Sequence, residues 1–182
     1  MATWLSMGAG RWRRAGVAAA AVLLTSSVIG GCQVGPAPPA AADLRSSAPP
    51  WDAPRDAVSY IDKAGFERLP LDFSGPSPYK LTIAVTVDGK PVEIPAGIGV
   101  DRLRAEQAAV HTHTTDGVVW VEAKTTSDKP TLAQFFTLWG LKYDATCLAD
   151  ACKSLTITTN GKPTAWDAPL TPSSHIGITV RH

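Results

Sequence analysis

YKLTIAVTV, residues 79–87, runs directly into Asp88-Gly89 and is followed by PVEIP, residues 91–95. Leu81, Ile83, Val85 and Val87 fall at every second position, the period at which a strand presents one face to a core. Asp-Gly is a favoured pair for a two-residue hairpin turn, because both central residues need positive φ. The stretch therefore predicts a β-hairpin with one buried face. The layer to bury it comes later, in TLAQFFTLWG, residues 131–140. There Leu132, Phe135, Phe136 and Trp139 share one side at helical spacing, Thr131 is placed as N-cap and Gly140 as stop.

Between these two elements, Ala96–Val100 reads as a loop, and HTHTTDGVVWVEA, residues 111–123, as a strand pair or bent strand broken at Asp116-Gly117. After the helix come SLTITT, residues 154–159, a turn at Asn160-Gly161, and a last strand HIGITVR, residues 175–181. Upstream, DAVSYIDKAG, residues 56–65, predicts a short helix with Val58, Ile61 and Ala64 on one face, Asp56 as N-cap and Gly65 as stop. Hairpin, helix and further strands give an α+β domain. The expected architecture is a small mixed β-sheet with one main packing helix, β-grasp-like in order, with no internal repeat.

The N-terminal third reads differently. Arg11, Arg13 and Arg14 precede an apolar run from Ala15 to Ile29, which is the layout of an export signal and too short to span a bilayer. The run closes on Val28-Ile29-Gly30-Gly31-Cys32, and this arrangement resembles the bacterial lipoprotein signal. The resemblance implies cleavage after Gly31 and diacylglycerol (palmitate-type) modification of the Cys32 thiol. Two acyl chains on one glycerol make such an anchor stable where one would not. QVGPAPPAAADLRSSAPPWDAP, residues 33–54, is rich in Pro and Ala and is expected to be a disordered tether. The expected organisation is a signal peptide at 1–31, a lipidated tether at 32–54 and a single domain at 55–182. Its expected place is the extracytoplasmic face of the cell membrane.

Removing residues 1–31 takes Arg11, Arg13 and Arg14 from the 17 basic residues and none from the 16 acidic ones, which leaves a net charge of −2. The remaining Lys and Arg are scattered singly, without the basic stripe of a nucleic-acid binder. Cys147 and Cys152 remain as a pair once Cys32 is set apart. In an exported chain this argues for a disulfide. A soft-metal thiolate pair is the alternative, but no further cysteine is present to complete a structural zinc site.

His111-Thr112-His113 is the candidate site. On a strand the two imidazoles point to one face, so they suit copper or zinc, with Asp116 as an oxygen ligand. The competing account is a polar stretch, Thr112 to Asp116, leading into the Val118–Val121 strand without any ligand. No nucleophile elbow, phosphate loop or C-x-x-C motif occurs, so no catalytic residues are assigned. A hydrolase using Glu122 or Asp116 ranks last, because paired acid and base groups need a defined separation. The expected partners are the membrane, through the anchor, and an envelope protein or small ligand.

Taken together, Asp88–Val92 and Ile94–Gly99, then His111-Thr112-His113 before Asp116-Gly117, then Thr131–Phe136 with Trp139-Gly140, resemble a family of exported, especially actinobacterial, proteins and lipoproteins. The resemblance runs over about Ala64 to Val180 and implies no particular activity. Many members carry further histidines at the start of the first strand, which implies a metal site in them. This chain has Pro78, Lys80 and Thr82 there, and Thr114 where the family tends to have an aspartate.

Overall fold

The computed structural model describes residues 42–182. Cys32, the signal segment 1–31 and residues 32–41 of the expected tether lie outside the described residues. In chain order the elements are α1 (Ala57–Lys63), β1 (Leu69–Pro70), β2 (Tyr79–Val87), β3 (Lys90–Val92), β4 (Val100–Asp101), β5 (Glu106–Gln107), β6 (Val110–Thr112), β7 (Val118–Val121), α2 (Leu132–Leu138), β8 (Lys153–Thr159), β9 (Lys162–Pro163) and β10 (His175–Arg181).

The main sheet has the order β6-β7-β2-β10-β8-β9, and β3 also pairs with β2. At its centre β2 and β10 are parallel, whereas the other pairs are antiparallel. A first and a last strand side by side and parallel, with a hairpin and a helix between them in sequence, is the β-grasp-like α+β order expected. One edge of β2 serves two partners in tandem. Tyr79–Thr82 pairs with Val118–Val121 of β7, the Ile83 N–H donates to Gly117 O at 2.9 Å, and Val85–Val87 then pairs with Lys90–Val92. Asp88 and Gly89, at φ 50° and 77°, make the turn that the dipeptide predicts.

Leu81, Ile83, Val85 and Val87 are buried, as are Ile176, Ile178 and Val180 of β10 and Ile157 of β8. They pack in one cluster with Leu132, Phe135, Phe136, Leu138 and Trp139. Helix α2 starts where its side chains can satisfy orphan N–H groups. The Thr131 hydroxyl accepts from Gln134 N, and Gln134 Oε1 accepts from Thr131 N at 3.0 Å, which is a capping box. Helix α1 buries Val58 and Ile61 as its spacing predicts, but Asp56 makes no cap bond. Its carboxylate is taken by the Ser59 hydroxyl and by Arg104 instead. A second, three-stranded sheet, β1-β5-β4, lies against α1.

The tether is shorter than expected. Trp51 is 2% exposed, and its ring stands edge-on to Trp139 with centroids 5.7 Å apart. Arg45 N donates to Gly140 O, Lys142 N donates to Arg45 O, and the Arg45 guanidinium donates to the carbonyls of Trp139 and Asp52. The carbonyls at a helix C-terminus lack intrahelical donors, and Arg45 supplies them for α2. The packed chain therefore starts by Arg45 rather than Arg55. Pro-rich composition averaged over 32–54 conceals one large aromatic side chain, Trp51, whose burial holds this segment on the domain.

Candidate functional site

The β6–β7 hairpin sets His111 opposite Trp120, and β7 in turn sets Trp120 opposite Lys80 of β2. Side chains on opposed residues share a face, so Lys80, Trp120 and His111 form a row across three strands. The Lys80 Nζ lies 3.8 Å from the Trp120 ring centroid, and the His113 ring meets Trp120 edge-on at 5.4 Å.

His111 is fully buried and His113 is exposed, so the pair joins the interior to solvent. The loop before β6 seals the inner member. At Gly99, with φ +71°, a Cβ would lie 2.5 Å from Val110 O and 3.4 Å from His111 Cβ, so only glycine lets the backbone pass there. His111 Nδ1 lies 3.0 Å from Ala108 O, a carbonyl that can only accept, so Nδ1 carries the proton. Its Nε2 therefore presents a lone pair, 3.1 Å from His113 Nε2 and 3.6 Å from Glu122 Oε2. Burial, with a smaller contribution from His113, lowers the His111 pKa to about 4, so the ring is neutral at pH 7. His113 Nε2 then donates to His111 Nε2. Glu122 is buried and takes a hydrogen bond from Gln107 Nε2 at 3.3 Å. Gln107 also donates to Phe73 O.

The structure thus brings His111 and His113 together as the strand spacing predicts, but Asp116 is not their carboxylate. Asp116 Oδ1 accepts from the Thr114 hydroxyl and from Val118 N, two contacts inside the β6–β7 turn. The Thr114 bond, then the Val118 N–H, hold its carboxyl below the usual range. Glu122 stands near His111 in its place. Along the strands His113 lies to one side of His111 and Glu122 to the other, since Glu122 N donates to Ala109 O. Among the described residues no group of three or more His, Cys, Asp or Glu is arranged to hold a metal ion. The other histidines are elsewhere: His175 Nδ1 meets the Thr82 hydroxyl at 2.8 Å, and His182 lies between Asp88 and Asp150. Lys80 and Thr82 stand on β2 in the same sheet, and the Lys80 ammonium adds a positive charge beside Trp120.

Beyond the Glu122 end of β7, Phe66, Leu69, Ala109, Ala123, Lys124 and Gln134 line a cavity of about 290 Å³. Glu67, Asp128 and Lys129 also stand in its walls, and the Lys124 ammonium donates to Glu67 Oε1 at 2.6 Å, so the lining is apolar in part and mixed in charge. No local pattern in the sequence marks it, because its walls come from five separate segments. Cys147 and Cys152 are joined as a disulfide. No protein family, curated protein or solved structure matches the chain.

Proposed function

We propose that the chain is a lipoprotein anchored through Cys32 at the extracytoplasmic face of the cell membrane, and that its α+β domain is a binding or accessory module of the envelope. The observation that carries this reading is Val28-Ile29-Gly30-Gly31-Cys32 behind Arg11, Arg13 and Arg14. The Cys147–Cys152 disulfide supports it, since such bonds persist in oxidising compartments. The cavity beside Lys124 supports a ligand-binding role. Metabolic labelling with a fatty acid, in the natural chain and in Cys32→Ala, tests the anchor; equal label in both would refute it. Retention of a ligand or envelope component by the immobilised chain tests the module.

A second reading is copper or zinc binding, favoured by the 3.1 Å approach of the His111 and His113 Nε2 atoms. The Nδ1–H bond of His111 to a carbonyl is the arrangement that orients a ligating imidazole. Two protein nitrogens leave the rest of the coordination shell to water or to an added ligand. Titration of the purified chain with each metal decides it, and unchanged stoichiometry in His111→Ala/His113→Ala would sink it.

A further inference from the structure

Leu103, at 91%, and Leu71, at 40%, are the exposed large hydrophobic side chains among the described residues. A single exposed leucine needs no explanation. These two stand at the same end of one small sheet. Pro70 pairs with Glu106 and Glu106 with Asp101, so Leu71, which follows β1, and Arg102–Ala105, which link β4 to β5, leave the sheet side by side.

The turn that carries Leu103 is built rather than loose. Asp101 is buried, and its carboxylate accepts from Arg104 N at 2.9 Å and from the Arg104 guanidinium at 3.0 Å. The same guanidinium reaches Asp56 at 3.1 Å. Turn positions are usually filled by Gly, Asn, Asp or Ser, and here the outermost residue is Leu. Most carboxylates at this end are already paired: Asp56 and Asp101 with Arg104, Asp62 and Glu106 with Arg68. Exposed here are Leu71 and Leu103 with Arg55, Arg102 and Asp72, and the Asp62 side chain is half exposed in its pair with Arg68. Apolar side chains beside arginines, whose stems lie along apolar surface while the charge stays in water, suit a bilayer interface.

The length of chain before the described residues points the same way. About ten residues separate Cys32 from Ala42, and fully extended they span at most ~35 Å. The chain enters the domain on α1, where the Tyr60 hydroxyl donates to Asp43 O at 3.0 Å. Asp56, just before that helix, holds Arg104 of the leucine turn. The Tyr60 and Asp56 contacts thus lie about one helical turn apart on the same helix, ~6 Å along its axis.

Resting on the lipoprotein reading, we infer that Leu103 and Leu71 form a second membrane contact, which seats this end of the domain in the headgroup–acyl boundary of the bilayer that holds the Cys32 anchor. The occupant is a phospholipid surface. The test uses the chain from residue 32 onward, which keeps every described core side chain, with Leu103→Cys carrying an environment-sensitive fluorophore and Lys162→Cys, on β9, as reference. Each is made lipidated on Cys32 and reconstituted in phosphatidylethanolamine–phosphatidylglycerol vesicles, and as Cys32→Ser added to the same vesicles.

The probe at 103 is expected to shift to the blue and to be quenched by brominated lipid, while the probe at 162 is not. Leu103→Asp in the Cys32→Ser chain is expected to lower vesicle partition about tenfold, the factor that corresponds to one leucine withdrawn from an apolar medium. Equal responses at 103 and 162, or equal partition of Leu103→Asp and its parent, overturn the contact. If Cys32 accepts no lipid, the anchor reading fails by itself, and the Cys32→Ser arm still decides the contact.

Discussion

The Trp139 indole N–H donates to the main-chain carbonyl of Trp51 at 3.0 Å, across 88 residues of sequence. The Trp51 indole in turn donates to Ser47 O at 2.7 Å. The segment ahead of α1 is thereby part of the core. Trp51→Ala is expected to destabilise the domain by about 3–5 kcal/mol, the range for truncating a buried aromatic. Urea denaturation measures it. A loss below about 1 kcal/mol would return residues 45–54 to the tether.

Local signals carried most of the fold. The β2–β3 hairpin, α2 and β10 were legible because a two-residue period, an Asp-Gly turn and a Thr-x-x-Gln capping box each act within a few residues. Arg45 and Trp51 were not legible, since their partners at 139–142 are remote and no periodicity marks a Pro-rich strap. At the site, strand spacing placed His111 and His113 correctly, and sequence proximity misplaced Asp116. A short turn uses its own acid locally, for Thr114 and Val118, whereas antiparallel register carries Glu122 back beside His111. With His111 opposite Trp120, Glu122 falls diagonal to His111 on the same face, a placement that only the register fixes.

His111 makes acid stability depend on pH in a defined sense. Its folded pKa is depressed from 6.5 to about 4, so the unfolded chain binds the extra proton first as pH falls. Stability contributed by the neutral, buried ring is complete above about pH 6.5 and is lost as pH falls toward 4. The loss over that window amounts to about 3 kcal/mol. His111→Gln is expected to abolish this slope whatever its effect at pH 7, and denaturation midpoints at half-unit steps would show it. A slope that survives the substitution would assign the effect to other groups.

His182 works in the opposite direction. Its Nδ1 lies 2.6 Å from Asp88 Oδ2 and its Nε2 lies 3.1 Å from Asp150 Oδ1, and these bonds, Asp88 first, raise its pKa above 6.5. The contribution is fully present below pH 6.5 and is lost as pH rises through the folded value. The same bond lowers the Asp88 pKa, so the tie also weakens on acidification below the ordinary carboxylate range near 3.8. His182→Ala should therefore lower Tm most between about pH 4.5 and 6, and progressively less as pH rises above 6.5. A difference in Tm that is constant with pH would show that the ion pairs carry none of it.

The Cys147–Cys152 loop is held twice, once by the disulfide and once by Asp144. The Asp144 carboxylate accepts from Thr146 N at 2.8 Å, from Cys147 N at 2.9 Å and from the Thr146 hydroxyl at 2.7 Å, while Leu148 within the loop is fully buried. By loop entropy, a ring this short stabilises by about 2–3 kcal/mol at most, because the unfolded chain loses few conformations when it closes. In the folded state the Asp144 bonds hold the same loop at its Cys147 side, so more of its restraint falls to them when the disulfide is gone. Cys147→Ser/Cys152→Ser is thus expected to cost about 2 kcal/mol or less and to leave the fold intact. The duplication predicts coupling: Asp144→Ala should destabilise the serine variant more than the disulfide-bonded chain, by about 0.5–1 kcal/mol. A double-mutant cycle by urea denaturation measures the coupling, and strict additivity would mean that the two constraints act on different parts of the loop.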